Sequence, residues 1–141
     1  MIVSTKGRYA LRVMVYLALH QNEGHTPLKE IAESGSISQK YLESIMTLLS
    51  KGNLVDAVHG KGGGYRLNRP PEGYTVGGIL KLTEGSLSAV SCTSQGAAAC
   101  SRTECCQAKP MWDKLDKMID DFFEGITIAD LLKDSASQQE T

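Results

Sequence analysis

Residues 27–67 read PLKEIAESGSISQKYLESIMTLLSKGNLVDAVHGKGGGYRL, a run that contains two helix patterns and a glycine-rich turn. Pro27 suits the first position of a short helix over residues 28–33 that ends at Gly35. Ser38 is a preferred N-cap for a second helix, which Gly52 closes. The apolar residues of this second helix recur at helical spacing and should face a core: Leu42, Ile45, Met46 and Leu49. Two helices joined by a tight turn are therefore predicted.

The start of the second helix carries polar side chains that should point away from that core. Such groups can read base edges or hold phosphates when a helix enters the major groove of DNA. This is the helix-turn-helix arrangement. A plain helical hairpin with a polar end explains this segment equally well by itself. The candidate DNA-binding residues on this helix are Ser38, Gln39, Lys40, Tyr41 and Glu43.

The segment after the second helix favours DNA binding over the plain hairpin. Residues 54–58 and 65–67 read as short strands, and four of the six residues between them are glycines that permit a tight turn. His59, Lys61 and Arg66 concentrate positive charge there, and they are candidate DNA contacts. A phosphate-binding loop of the nucleotide type needs a following helix and a Gly-Lys-Ser/Thr ending, which this stretch lacks. The combination predicts a winged helix.

Helices on both sides complete a fold that is mainly α with one small β-hairpin. Ser4 and Thr5 are N-cap candidates for a helix that extends to Leu19, and Thr75 caps a short helix that ends at Gly85. We divide the chain into four parts. These are a winged helix-turn-helix domain at residues 1–85, a cysteine-rich loop at 86–109, a long helix with a closing short helix at 110–134, and a disordered tail at 135–141.

The helix that Pro110 opens carries an aromatic and aliphatic stripe opposite a charged face. Such a stripe, far along the chain from the first core, favours dimerisation through this helix. Packing back onto its own domain is the alternative. The candidate dimerisation residues are Met111, Trp112, Leu115, Met118, Ile119 and Phe122.

All four cysteines fall between positions 92 and 106, in a segment of mostly Gly, Ala, Ser and Thr that has almost no large side chain to pack. Thiolates that converge on soft metal ions would order it, whereas a mobile loop with free thiols is the alternative. The chain has no apolar run long enough to span a membrane and no signal-peptide pattern, so we expect a cytoplasmic protein. In that reducing compartment, clustered cysteines favour metal binding or redox sensing over structural disulfides.

Charge is distributed unevenly. Residues 1–70 contain 9 Lys and Arg against 5 Asp and Glu, and residues 71–141 contain 6 against 11. A basic first half suits a polyanion, and an acidic second half suits another protein, although two ordinary solvated surfaces would also give such counts. The three histidines are scattered, and no motif places one beside a nucleophile, so an enzyme is not expected.

Several motifs together resemble the Rrf2 (Rrf-two) family of bacterial winged-helix transcription regulators. They are STKGRYAL at residues 4–11, PLKEIA at 27–32, Ile37-Ser38 with YLE at 41–43, and GKGGGY at 60–65. The resemblance covers residues 1 to about 132. It implies a homodimer that is held by the helix after the cysteine loop and that presents two winged helices to palindromic double-stranded operator DNA. In some members an iron-sulfur cluster in the loop controls DNA binding.

The resemblance also suggests cluster ligands. Cys92, Cys100 and Cys106 align with the family's three cysteine ligands for a [2Fe-2S] or [4Fe-4S] cluster, although the first gap is two residues longer here. Lys109 stands where the family's iron-sulfur regulators have a histidine ligand, so the fourth ligand is open. Cys105 is the local substitute.

Two further positions depart from the family pattern. Arg8 stands where one group of members supplies an aspartate ligand to the partner's cluster, and His59 stands where an arginine is usual in the wing. A cluster-free regulator therefore stays open beside the cluster sensor. It would be switched by oxidation of Cys105 and Cys106 or by a partner protein. A four-cysteine zinc site fits the uneven spacing less well.

Overall fold

The computed structural model describes residues 3–88 and 107–139, with side chains described as far as residue 134. Within these ranges the chain forms six α-helices and one antiparallel hairpin, which confirms the predicted fold class. The helices are α1 (Thr5–Leu19), α2 (Leu28–Gly35), α3 (Gln39–Lys51), α4 (Val76–Glu84), α5 (Lys109–Glu124) and α6 (Ile128–Gln139); the strands are β1 (Val55–Val58) and β2 (Gly64–Leu67). None of the described helices is both long and apolar enough to cross a bilayer.

The predicted N-caps Ser4, Ser38 and Thr75 are confirmed, whereas Thr5, the other candidate for the first helix, is the first residue of α1. The hydroxyls of Ser4, Ser38 and Thr75 each accept a hydrogen bond from the backbone N–H three residues later, at 3.2, 3.2 and 2.9 Å. Each cap satisfies a backbone donor that the helix itself leaves unpaired and contributes about 1 kcal/mol. Pro27 lies one position earlier than predicted, since it is the N-cap residue of α2 and the helix begins at Leu28.

The main core lies between α1, α3 and the base of the hairpin. Its residues from α1 and α3 are less than 5% exposed: Ala10, Val13, Met14, Leu17 and Ala18 from α1, and Leu42, Ile45, Met46 and Leu49 from α3. The α3 set is the one that helical periodicity predicts. A second cluster of Val76, Leu80 and Leu87 receives Ile119 and Phe123 of α5, so one face of α5 packs within its own chain.

Backbone hydrogen bonds hold the C-terminal helices to the winged helix. The Val76 N–H donates to the Ile126 carbonyl at 2.8 Å, and the Ile128 N–H donates to the Tyr74 carbonyl at 3.0 Å. Thr127 and Asp130 form a capping box at the start of α6, with reciprocal bonds of 2.9 and 3.1 Å. The helix that follows is longer than predicted, because α6 continues to Gln139, into the stretch expected to be a disordered tail.

Candidate nucleic-acid interface

The first turns of α3 present the predicted polar side chains to solvent. Ser38, Gln39, Lys40 and Glu43 are exposed, while the apolar side of the same helix is buried. The turn before α3 is tight, because Ser36 adopts the left-handed conformation with φ 52° and the Ile37 N–H donates to the Ala32 carbonyl at 3.0 Å. The buried Ile37 fixes this turn on the core. The helix that could enter a groove is therefore held rigidly by its opposite side.

Tyr41 differs from its neighbours because it is half-buried. Its ring meets the Tyr9 ring edge-on, with centroids 5.9 Å apart, and the Arg12 guanidinium lies 5.4 Å above the Tyr9 ring. Arg12 also donates to the Gly35 carbonyl at 3.4 Å, at the end of α2. Helix α1 thus supports the start of α3 from behind. This contact is not predictable from the sequence, since Tyr9 and Tyr41 are 32 positions apart and no motif joins them.

The glycines of the wing are required by its geometry. Gly60 and Gly62 have φ of 97° and 79°, which side chains rarely adopt. A Cβ at Gly63 would stand 2.2 Å from the Val58 carbonyl oxygen, so no side chain fits there. His59 and Lys61 are exposed beside these glycines. The sequence therefore specifies a narrow tip that carries the predicted basic side chains.

Arg66 lies on the exposed face of the hairpin, opposite Asp56 in the strand register. Its Nε is 4.0 Å from the Asp56 carboxylate, and both side chains are about half exposed. This is a weak surface pair. It holds Arg66 along the strand, and the guanidinium stays accessible to a phosphate.

The base of the wing is locked by Tyr74, a residue that the sequence analysis did not single out. The Tyr74 hydroxyl donates to the Leu54 carbonyl at 2.7 Å and accepts from the Asn68 N–H at 3.0 Å. Asn68 and Arg69 both donate to the carbonyl of Asn53, at 2.8 and 2.9 Å. Burial raises the pKa of Tyr74 above its ordinary value of 10.0. The hairpin thus leaves the core at a fixed angle.

Cations are distributed differently on the two sides of the molecule. Lys40 and Lys61 form no ion pair within residues 3–88 and 107–139, and both are exposed. By contrast, Lys81 contacts Asp120 and lies 3.0 Å from Glu124. The hydrogen bonds that Lys81 donates, first to Asp120 and then to Glu124, raise the pKa of Lys81. The positive charge on α3 and the wing remains available for a polyanion, whereas that of Lys81 is used to join α4 to α5.

The predicted cluster ligands, Cys92, Cys100, Cys106 and Cys105, lie outside the described residues. Among the residues that are described, no three His, Cys, Asp or Glu side chains come together as a metal site. The elements on either side of the cysteine segment are described. Glu84, the last residue of α4, accepts from the Ser4 N–H at 3.1 Å and from the Ser4 hydroxyl at 2.7 Å. The chain that enters the segment is therefore bound to the start of α1.

The predicted dimerisation residues divide between two faces of α5. Met111, Leu115, Met118 and Phe122 are 54%, 37%, 68% and 62% exposed. We call these four the α5 stripe. Trp112 is half-buried, and Ile119 packs within the chain against the second core cluster. One side of α5 therefore packs within its own chain, and the other side leaves an exposed apolar stripe.

This combination of helix-turn-helix, glycine-tipped wing and long following helix has known counterparts. The family model Rrf2, described as an iron-dependent transcriptional regulator, matches residues 3–134. The chain belongs to the Rrf2 family. It is therefore a DNA-binding transcriptional regulator of winged-helix fold, and the prediction that it is not an enzyme is confirmed by the family.

Among curated Rrf2 relatives, the HTH-type transcriptional regulator IscR of Erwinia tasmaniensis is 39% identical over 132 residues, which cover 94% of this chain and 79% of that protein. Solved Rrf2 structures give the same fold. IscR of T. potens superposes with a TM-score of 0.76 at 39% identity, covering 99% of this chain and 91% of the other. CymR, the global cysteine regulator of B. subtilis, has a TM-score of 0.76 at 31% identity, covering 94% and 97%.

Proposed function

We propose that this Rrf2 regulator is a repressor whose α3 reads operator DNA while the wing holds the backbone. The accessible cations of α3 and the wing carry the proposal, because Lys40 and Lys61 have no carboxylate partner in the described chain. Gln39 and Glu43 stand exposed on the same helix and can bond base edges in the major groove. His59, Lys61 and Arg66 would contact phosphates or the minor groove.

DNA binding is, in this proposal, controlled by an iron-sulfur cluster that Cys92, Cys100 and Cys106 hold, with Cys105 as the local fourth candidate. Thiolates are the ligands that [2Fe-2S] and [4Fe-4S] clusters require. The donor set fits, since the segment offers four thiols and little that could pack in their place. Relatives named IscR and a family described as iron-dependent support the assignment. When bound, the cluster would supply sensitivity to iron supply and to oxidants.

Contacts at the end of α4, just before the cysteine segment, connect that end of the helix to α3 through α1. Glu84 holds Ser4 at the start of α1, and Tyr9 of α1 packs on Tyr41 of α3. A change in the segment that moved the end of α4 would therefore act on α1 and, through it, on α3. The ion pairs of Lys81 join α4 to α5 in the same way. Helix α4 thus lies between the cysteine segment, the DNA-binding helices and α5.

A homodimer is part of the proposal. Four large apolar side chains on one helix face are a costly surface to leave in water, and such patches mark interaction sites. The α5 stripe would join two copies and place two α3 helices on half-sites about one helical turn apart.

The operator test is a selection of duplexes from a random library with protein purified without oxygen. We expect enrichment of a palindrome whose half-sites are separated by about one turn of DNA. Enrichment of no sequence would contradict the assignment of α3 as the recognition helix. Loss of two-fold symmetry in the enriched site would contradict the dimer.

The cluster-free alternative has one specific observation in its favour. Cys105 and Cys106 are adjacent, which is unusual for two ligands of one cluster iron, and a CymR structure in an oxidised form from Staphylococcus aureus has a TM-score of 0.72 with this chain at 31% identity. In this version, oxidation of these thiols or a partner protein would switch DNA binding. Mass spectrometry after mild peroxide distinguishes the thiol switch from the cluster sensor. A reversible intramolecular disulfide in metal-free, DNA-competent protein would support the thiol switch.

A further inference from the structure

The tip of the wing begins with His59. Val58, the last residue of β1, pairs with Gly64 in the strand register, so His59 is the first residue beyond the paired strands. The Gly63 N–H donates to the Gly60 carbonyl at 3.1 Å and closes the tip. His59 is exposed on this closed turn. The imidazole is therefore displayed at a fixed place on the wing.

No carboxylate of the described chain pairs with this imidazole. Asp56, the one acidic side chain among residues 55–67, lies 4.0 Å from Arg66 on the opposite strand. The other charged side chain of the tip is Lys61, a cation. His59 forms no ion pair within residues 3–88 and 107–139. The charge of the ring is therefore set by the solvent and by whatever the wing binds.

The helices that pack on the hairpin add little negative charge. Helix α3 packs on β1, and α1 packs on β2. Five of the six charged side chains on these two helices are cations: Lys6, Arg8, Arg12, Lys40 and Lys51. The sixth is Glu43, which is exposed in the first turns of α3. The remaining titratable side chains of these helices and strands are tyrosines, a residue type that ionises only near pH 10.

The phosphates of a DNA backbone would supply the missing anion. A histidine side chain in water changes its charge between pH 5 and 8, so near neutrality it is partly uncharged. An anion beside the ring favours the charged form. A phosphate in contact with His59 would therefore draw one proton from the solvent onto the unprotonated ring nitrogen. Because the complex would then hold more protons than its separate components, a fall in pH would strengthen binding.

We propose that binding of operator DNA takes up one proton at His59 of each wing, so that operator affinity increases as the pH falls from 8 to 6. This rests on the proposed contact between the wing and DNA, and it adds the pH dependence of that contact. Repression would then respond to the pH around the protein as well as to the state of the cysteine segment.

The other two histidines do not give this behaviour. The His20 ring already has an anion of its own chain, since its Nδ1 is 2.5 Å from the Glu23 carboxylate. The Nε2 of His25 is buried and has no hydrogen-bond partner in the described chain. Protonation there would bury an unpaired charge next to Thr26, whose backbone bonds hold Tyr65 of the hairpin. Such a change would weaken the wing at low pH, which is the opposite sign.

The test measures operator affinity of the full chain by fluorescence anisotropy, at constant ionic strength, between pH 6 and 8. Wild type is compared with His59→Gln, which never carries a charge, and with His59→Arg, which always does. His20→Gln is the matched control, because it removes a histidine that lies outside the hairpin. Position 59 is exposed and position 20 follows the end of α1, so each variant should fold, and far-UV circular dichroism checks this.

The ratio of wild-type affinity to His59→Gln affinity isolates the imidazole, because effects of pH on the rest of the chain cancel. We expect this ratio to rise about fivefold per wing from pH 8 to 6, the change that follows when a phosphate favours the charged ring about tenfold. The slope of log affinity against log salt should steepen by up to about 0.9 per wing. His59→Arg should have the steep slope at every pH, and His20→Gln should behave as wild type does.

A ratio that stays constant from pH 8 to 6, while Lys61→Gln weakens binding throughout, would overturn proton uptake at His59 and leave the wing contact standing. A pH dependence that His20→Gln abolishes would overturn it as well. If neither Lys61→Gln nor His59→Arg changes affinity at any pH, the wing does not contact DNA, and that part of the proposed function fails together with this inference.

Discussion

Thr26 and Tyr65 exchange two backbone hydrogen bonds, each 2.8 Å long. The residue before α2 is thereby added to the hairpin as a short third strand, in an antiparallel bridge. Thr26 is buried at 4% exposure, although it is polar. The wing is consequently fixed in two places. The Thr26–Tyr65 bridge joins it to the start of the helix-turn-helix, and Tyr74 joins its base to the core. A rigid wing can hold DNA in a constant register relative to α3.

Substitution of Gly64 should damage this junction. A Cβ at Gly64 would stand 2.3 Å from the Thr26 carbonyl oxygen, a backbone atom that cannot turn aside. Gly64→Ala should lower the free energy of unfolding by about 1–3 kcal/mol, as seen when atoms are forced into a filled site. Urea denaturation measures this change in the free energy of unfolding. Gly62→Asn is the matched control, since it has open space and asparagine tolerates its φ of 79°; equal losses in both variants would contradict the steric account.

The hydroxyl of Tyr74 should be worth measurable stability. Tyr74→Phe removes the donor to Leu54 and the acceptor for Asn68, so the free energy of unfolding should fall by about 1–2 kcal/mol at neutral pH. The raised pKa of Tyr74 also predicts a pH effect. The neutral phenol is favoured in the folded state, so its contribution is complete below the unfolded pKa near 10 and is lost as pH rises through the folded pKa.

Denaturation at several pH values from 8 upward separates the loss of the hydrogen bonds from the effect of phenol ionisation. Wild type should lose stability above about pH 10 faster than Tyr74→Phe does. Tyr65→Phe provides a comparison, because the Tyr65 phenol is only half-buried, unlike that of Tyr74, and its hydroxyl forms no hydrogen bond in the described chain. Parallel curves for wild type and Tyr74→Phe would show that burial of this phenol does not carry the effect.

Local signals made the individual elements predictable. Ser38 and Thr75 are residue types that cap helices, and the apolar residues from Leu42 to Leu49 recur at helical spacing. The predicted helix starts and the predicted buried face of α3 are therefore confirmed. What joins those elements over long distances was not predicted. The Tyr9–Tyr41 contact, the Thr26–Tyr65 bridge and the Glu84–Ser4 bonds depend on how packed helices align, and no short motif encodes that alignment. The cysteine ligand set stays a prediction, because those residues lie outside the described ranges.

Lys61 and Gln39 should affect DNA binding in different ways. Lys61 is an exposed wing cation, so Lys61→Gln should weaken binding to the selected operator and to random duplex alike. The slope of log affinity against log salt should fall by about 1, the value for one lost phosphate contact. Gln39→Ala should instead change the preference among operator variants, with the salt slope unchanged.

Fluorescence anisotropy over a range of salt concentrations gives the affinity for each duplex and its dependence on salt. Lys117→Gln removes the same charge from the far helix α5, where Lys117 pairs with Asp121, and should leave both unchanged. If Gln39→Ala lowered affinity for operator and random duplex equally, α3 would not be the recognition helix.

If a cluster held by Cys92, Cys100 and Cys106 controls operator binding, removal of one of these thiols should change both the iron content and the affinity for DNA. Operator affinity is determined under anaerobic conditions for wild type and Cys92→Ala, alongside iron, sulfide and the visible spectrum of each protein. We predict iron, sulfide and visible absorbance in wild type, their loss in the variant, and a change in operator affinity between the two. Colourless, iron-free wild type that binds the operator as tightly as Cys92→Ala would contradict the account.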